Sequence, residues 1–246
     1  MAKLKKWKHF LFNLLSPLTW PWDFIYRFRR SCYNYGLFRQ ENFKVPIISI
    51  GNLTFGGTGK TPFTLWLSEL FESQEKSVTI LIRGYRGELE QKTGVLSAQR
   101  RLGFNPLKYG DEAALLARRL KKASIVVGRR RAKNLEHYFE ECNPDVVILE
   151  DGHQHLNLNR NLNIVLFDAL LPLERYRVAP LGYMRENFHA LKDTRVVVIG
   201  RADRVEREKI EQLKEMLKPY VSSKTVFLEI AYKVNGFFSP EYQKVY

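Results

Sequence analysis

Beyond Lys44 the chain alternates between two hydrophobic rhythms. Short runs of consecutive, mostly β-branched residues ("VPIISIG", "SVTILIRG", "ASIVVG", "PDVVILEDG", "LNIVLFD", "TRVVVIG", "KTVFLEIAY") are bounded by Gly, Pro or charged positions. Between several of them lie stretches whose apolar residues recur every three or four positions. In "KTPFTLWLSELFES" these are Phe63, Leu65, Trp66, Leu70 and Phe71, and "DEAALLARRLKK", "RRRAKNLEHYFEEC" and "REKIEQLKEMLKP" read the same way. Continuous apolar runs suit strands buried on both faces, and the longer period suits helices covering them. The pattern predicts an α/β fold with a mostly parallel sheet and helices on both faces. The longest irregular stretch runs from Gly84 to Gly110, where Gly and Pro mix with charges, as expected of a binding element.

The first 45 residues have a different texture. "WKHFLFNLLSPLTWPWDFIYRFRRSCYNYG" mixes aromatics, leucines and arginines but is interrupted by Pro17, Pro21 and Asp23, whereas a spanning helix needs roughly 20 apolar residues in a row. No small-residue cleavage site follows Phe10 to Leu15, which argues against a cleaved signal. One or two short amphipathic helices remain. Trp7, Trp20 and Trp22 suit a headgroup boundary, and a helix packed on the core with a solvated basic face is the alternative.

Charge sharpens this picture. Lys and Arg number 40 against 26 Asp and Glu, a net +14, and about half of the excess lies in the first 45 residues. Such an imbalance predicts an anionic partner. No nucleic-acid motif accompanies it, and the basic residues sit in a hydrophobic lead, so an acidic membrane surface or a phosphorylated substrate is expected rather than nucleic acid. Cys32 and Cys142 show no metal spacing and suggest a reducing compartment.

Candidate chemistry centres on "GNLTFGGTGKTP", Gly51 to Pro62. Its end matches the phosphate-binding pattern G-x-x-x-x-G-K-[ST], but Thr54 stands where the first glycine is usual. Between a predicted strand and a predicted helix, Thr54, Phe55, Gly56, Gly57, Thr58 and Gly59 are expected to wrap phosphate with backbone N–H groups, aided by the helix N-terminus. Lys60 is then placed for β/γ-phosphate oxygens and Thr61 for Mg²⁺. Such a site needs an acidic partner at the end of a neighbouring strand, and "DVVILEDGHQH" offers Glu150 and Asp151.

The segments "ISIGNLTFGGTGKTP", "IRGYRG", "GDEA", "EDGHQH", "LFDA" and "PLGYMRE", in this order, resemble the tetraacyldisaccharide 4′-kinase family, as does the lead "SPLTWPWDFIYRFRRSCYNYG". The resemblance covers nearly the whole chain, and the Thr54 variation belongs to the family's own form of the loop. It implies a P-loop NTPase-like core that uses ATP and Mg²⁺ to phosphorylate the 4′-hydroxyl of a tetraacylated glucosamine disaccharide 1-phosphate, giving lipid IVA. It also implies a peripheral location on the cytoplasmic face of the bacterial inner membrane.

Residue by residue, the resemblance implies Asp111 as the catalytic carboxylate that orients the sugar hydroxyl, an N-cap for a helix starting at Glu112 being its plainer role. Arg83 and Arg185 are implied for anionic groups and Glu186 for the metal or the hydroxyl, with surface ion pairs as the alternative for each. His155 is expected to orient the loop after Asp151 or to be structural, and "IGRAD" follows a strand where a base-reading segment would sit. The family's aspartate pair reads Glu150–Asp151 here, and its downstream Asp-His motif has no counterpart after Phe237. The expected organisation is therefore a membrane-associating segment over 1–45, a kinase core over 46–222 and the start of an incomplete C-terminal subdomain over 223–246. A shortened protein that binds nucleotide and lipid without turnover is the alternative function, and a P-loop GTPase acting on a protein is a more remote one.

Overall fold

The structure, a computed structural model, describes residues 2–96 and 105–233, with side chains described for residue 17 and from residue 19 onward within those ranges. The side chains of Trp7 and the early lysines, and residues 234–246 of the expected subdomain, lie outside the described part.

A helix, α1 (Ala2–Asn34), precedes the sheet. The strands are β1 (Ile47–Gly51), β2 (Val78–Ile82), β3 (Gly94–Leu96), β4 (Ser124–Val127), β5 (Val146–Glu150), β6 (Leu162–Asp168), β7 (Val196–Gly200) and β8 (Val226–Ile230). Among the described residues they form one eight-stranded sheet in the order β3-β4-β2-β5-β1-β6-β7-β8. All neighbours run parallel except β3 on β4. The chain leaves β1 toward β2 and β4, returns to insert β5 beside β1, and then builds β6 to β8 on the far side. Such a reversal opens a crevice at the carboxyl ends of the central strands.

Alternate strand residues face opposite layers. Ile48, Ile50, Ile80, Ile148 and Leu166 meet Phe63 and Leu67 of α2 (Lys60–Ser73) on one side. After the short α3 (Pro106–Tyr109), Ala113, Leu116 and Ala117 of α4 (Asp111–Arg119) complete that layer. On the other face, Leu81, Val126, Val147 and Leu149 pack on Ala132 and Leu135 of α5 (Arg131–Cys142). Val165, Phe167, Val197 and Ile199 cover Ile210, Leu213 and Leu217 of α6 (Arg207–Leu217) on that same face.

Two expectations are revised. The N-terminal segment is a single 33-residue helix that runs through Pro17 and Pro21 instead of one or two short ones. Each proline removes one i→i−4 bond, and prolines four residues apart place both losses on one side, which the remaining turns bridge. The sheet also continues past residue 222: β8 pairs with β7 from Val196↔Val226 to Gly200↔Ile230, so residues up to 230 join the core sheet.

The C-terminal turn of α2 is tied to the turn before β4 by one side chain. The Glu72 carboxylate accepts from the backbone N–H groups of Lys122 at 2.8 Å, Ala123 at 2.6 Å and Lys121 at 3.2 Å. Charge-assisted bonds of this kind carry more than neutral ones. Glu72→Ala is expected to lower the unfolding free energy by about 2 kcal/mol, read from chemical denaturation; an unchanged midpoint would show that water replaces the carboxylate at no cost.

Candidate active site

Parallel register builds the site. Ile50 of β1 is paired with Glu150 of β5, so the loop that follows β1 emerges beside the carboxylate that ends β5. The Thr61 hydroxyl, in the first turn of α2, lies 3.5 Å from Glu150 Oε1, and Lys60 Nζ lies 3.5 Å from Asp151 Oδ1. Both acidic residues thus meet the Lys-Thr pair, divided between its two members.

The loop explains its own sequence. Gly56 and Gly59 hold φ of 99° and 88°, the left-handed region that favours glycine, and Gly59 precedes the first turn of α2. A Cβ on Gly59 would also run into the Tyr232 hydroxyl. Thr54 is different: it is buried and forms an antiparallel bridge with Met184, an extended conformation open to any residue. Glycine is therefore not required at the motif's first position.

That bridge is part of a short ladder. Phe55 N–H donates to Tyr183 O at 2.7 Å and Arg185 N–H donates to Leu53 O at 2.6 Å. The ladder sets Arg185 beside the loop, where its guanidinium reaches Asp151 Oδ2 at 3.2 Å and lies over the Phe55 ring. On the outer side of the loop, Arg201 donates to Gly57 O at 3.1 Å while paired with Asp168, and Tyr232 OH donates to Gly59 O at 3.1 Å. The "IGRAD" arginine thus braces the loop from behind.

The resulting cleft, about 630 Å³, is lined by the loop from Phe55 to Thr61 and by Arg83, Tyr85, Glu112, Arg131, Glu150, Asp151 and Arg185. Four cations face three carboxylates there. Burial, then the charges of Glu112 and Asp151, push Glu150 up to about 7 against the pull of Lys60 and Arg131. Burial raises Glu112 as well, with Lys60 opposing it. Burial alone would also raise Asp151, but Lys60, Arg185 and Arg131 outweigh it and hold that carboxyl below its usual value. Arg131 is buried and lowered by desolvation, and it donates to Asp151 O at 3.1 Å, supporting a left-handed turn at Asp151 with φ of 48°.

Not every expected residue enters the cleft. Lys60, Thr61, Glu150, Asp151, Arg83 and Arg185 line it, Arg83 being paired with Glu90 at 2.7 Å. Asp111 is exposed and absent from the lining, whereas its neighbour Glu112 is present. The helix starts at Asp111 itself, with Gly110 at the cap position, so Asp111 is not the N-cap. Glu186 is buried against α1, its Oε2 2.9 Å from Arg30, and stands outside the cleft lining. A metal-binding place for Glu186 is not what this geometry offers, because Arg30 already neutralises it.

His155 is pushed down to about 3 by burial and the nearby arginines, which keeps it neutral beside the loop it was expected to orient. Arg131, Glu112, Tyr85 and Tyr232 were not anticipated. Arg131 carried a signal, since "GRRRAKN" follows a parallel strand and starts a helix where ligands gather; Tyr232 carried none, because its contact depends on β8 joining the sheet.

Against this geometry, the family model for tetraacyldisaccharide-1-P 4′-kinase matches residues 11–236. The chain belongs to the tetraacyldisaccharide 4′-kinase family. It is 41% identical over 188 residues to the tetraacyldisaccharide 4′-kinase of Geobacter metallireducens, covering 76% of this chain and 56% of that one. Against the enzyme of Desulfotalea psychrophila the figures are 37% over 202 residues, with 82% and 58% covered. The chain thus spans little more than half the length of these relatives. The crystal structure of LpxK from Aquifex aeolicus in complex with ATP superposes with a TM-score of 0.75 at 29% identity, covering 96% of this chain and 69% of that one.

Glu150 gives the cleft a pH signature. Its folded pKa of about 7 lies above the ordinary glutamate value, so its contribution to stability is present at low pH and is lost as pH rises through 7. In metal-free protein this amounts to about 3 kcal/mol between pH 4 and 8. Glu150→Gln is expected to flatten that slope in thermal unfolding measured across the range; an equally steep loss in the variant would assign it to other groups.

Proposed function

We propose that this cleft binds ATP with Mg²⁺ and transfers the γ-phosphoryl to the 4′-hydroxyl of a tetraacyldisaccharide 1-phosphate, the step that forms lipid IVA. The observation that carries the reading is the meeting of Lys60 and Thr61 with Asp151 and Glu150 across two adjacent parallel strands, in a chain of this family. Backbone N–H groups at Gly56, Gly57 and Gly59 cradle phosphate, and Lys60, Arg131 and Arg185 offset its charge.

The donor set fits a divalent cation. Thr61 and Glu150 supply oxygens, and Asp151 Oδ1 is buried without a hydrogen bond, with only Lys60 nearby at 3.5 Å. No cluster of three or more His, Cys, Asp or Glu suited to a metal occurs among the described residues, and Mg²⁺ commonly takes its remaining oxygens from phosphates and water. Bound there, Mg²⁺ would neutralise charge on the phosphates. In the transfer, the bond from the γ-phosphorus to the ADP oxygen breaks, one to the 4′-oxygen forms, and the hydroxyl proton passes to a carboxylate. Asp111 is the proposed acceptor, one residue from the cleft-lining Glu112.

The lipid side of the reaction suits α1. Trp20, Phe24 and Phe28, spaced four apart, are exposed at 81%, 66% and 59%, and Phe24 stacks on Phe28. An aromatic ridge beside basic residues fits an anionic lipid surface at the cytoplasmic face of the inner membrane. Among the described residues no helix is long and apolar enough to cross a membrane.

Purified chain given ATP, Mg²⁺ and the disaccharide lipid is expected to yield phosphorylated lipid. Lys60→Ala and Asp111→Ala should each lower the rate by at least about 100-fold. Nucleotide and lipid binding without product would favour the binding-only alternative, and product equally fast with Asp111→Ala would move the proton acceptor to Glu112.

A further inference from the structure

The two loops that deliver Asp151 and Arg185 to the cleft are both held from behind by α1. Trp22 Nε1 donates to the carbonyl of Arg185 at 2.8 Å, and Arg30 Nη2 donates to Glu186 Oε2 at 2.9 Å, its side chain and that of Glu186 both largely buried. From the residue before Arg30, Arg29 Nη1 donates to the carbonyl of Gln154 at 2.9 Å, in the loop after Asp151. Arg185 itself spans from this support to the site: its backbone is fixed by Trp22 and Leu53, and its guanidinium ends on Asp151.

A side chain as long as arginine keeps one position in a cleft only if both its ends are held, its backbone by its own contacts and its guanidinium by a partner, since a shift of either moves the charge. The two α1 contacts immobilise adjacent residues, the carbonyl of one and the side chain of the next. They brace the base of the Arg185 side chain, whose guanidinium is held at its other end by Asp151. From this geometry we propose that Trp22 and Arg30 are positioning residues for the phosphate site, acting through Arg185 on Asp151, so that the docking of α1 is coupled to nucleotide binding. The proposal rests on the nucleotide reading above.

A coupling cycle on the full chain tests it, with a fluorescent methylanthraniloyl-ATP and Mg²⁺ as the probe. Trp22→Phe leaves an aromatic side chain but removes the indole N–H donor, and it is expected to weaken binding about fivefold, the effect of one hydrogen bond. In an Arg185→Met background the same substitution is expected to change affinity less than twofold, because the guanidinium it steadies is gone. Arg30→Met should behave likewise, and Arg30→Lys should recover part of the loss. A merely structural role would lower affinity equally in both backgrounds, or leave affinity intact while lowering the melting temperature, and either result overturns the coupling. Lys60→Ala serves as the control: if it binds the probe as well as the parent, the nucleotide reading is wrong and the proposal falls with it, whereas Lys60-dependent binding that ignores Trp22 and Arg30 sinks the coupling alone.

Discussion

The whole site depends on β1 and β5 lying side by side in parallel register. A glycine loop can form after any strand, and a carboxylate can end any strand. They make a phosphate and cation site only when the two strands are neighbours at the same height. The pairing of Ile50 with Glu150 meets both conditions, and the hydrophobic faces of the strands enforce it, because a slip of one residue would turn Ile48 and Ile50 away from α2. Packing in the core thus sets a polar distance of 3.5 Å at the rim.

Electrostatics in the cleft follows from that crowding. Three carboxylates within one cavity repel each other, and the structure resolves this unevenly. Asp151 sits among Lys60, Arg185 and Arg131 and stays ionised, whereas Glu150, more deeply buried, is driven toward its neutral form. Two adjacent acids in the sequence therefore differ in character, the first pushed toward its neutral form by burial and the second fixed as a charge.

Seven of the eight strands and the loop were legible in the sequence because each has a local cause: apolar continuity, helical spacing, glycine where φ is positive. β3 was not, because its three residues lie in the Gly84 to Gly110 stretch expected to be irregular and owe their strand form to pairing with β4. The Lys-Thr and Glu-Asp pairs were legible because strand ends gather ligands in such sheets. Other features depend on long-range contacts that no local pattern encodes. Glu186 was implied for the metal or the substrate hydroxyl, with an ion pair as the alternative, and its partner Arg30 lies 156 residues away, beyond the reach of any local pattern. Asp111 and Glu112 are neighbours in sequence, yet only Glu112 lines the cleft, a distinction set by how α4 is rotated. The two prolines of α1 suggested a break, and the helix instead runs through them.

The braces behind the phosphate loop carry a last consequence. With the Gly57 carbonyl engaged by Arg201 and the Gly59 carbonyl by Tyr232, these two oxygens are occupied before any ligand arrives. The loop is thereby tied to residues from the far end of the chain, and a ligand that docks on it meets a backbone already partly ordered, which lowers the entropy lost on binding.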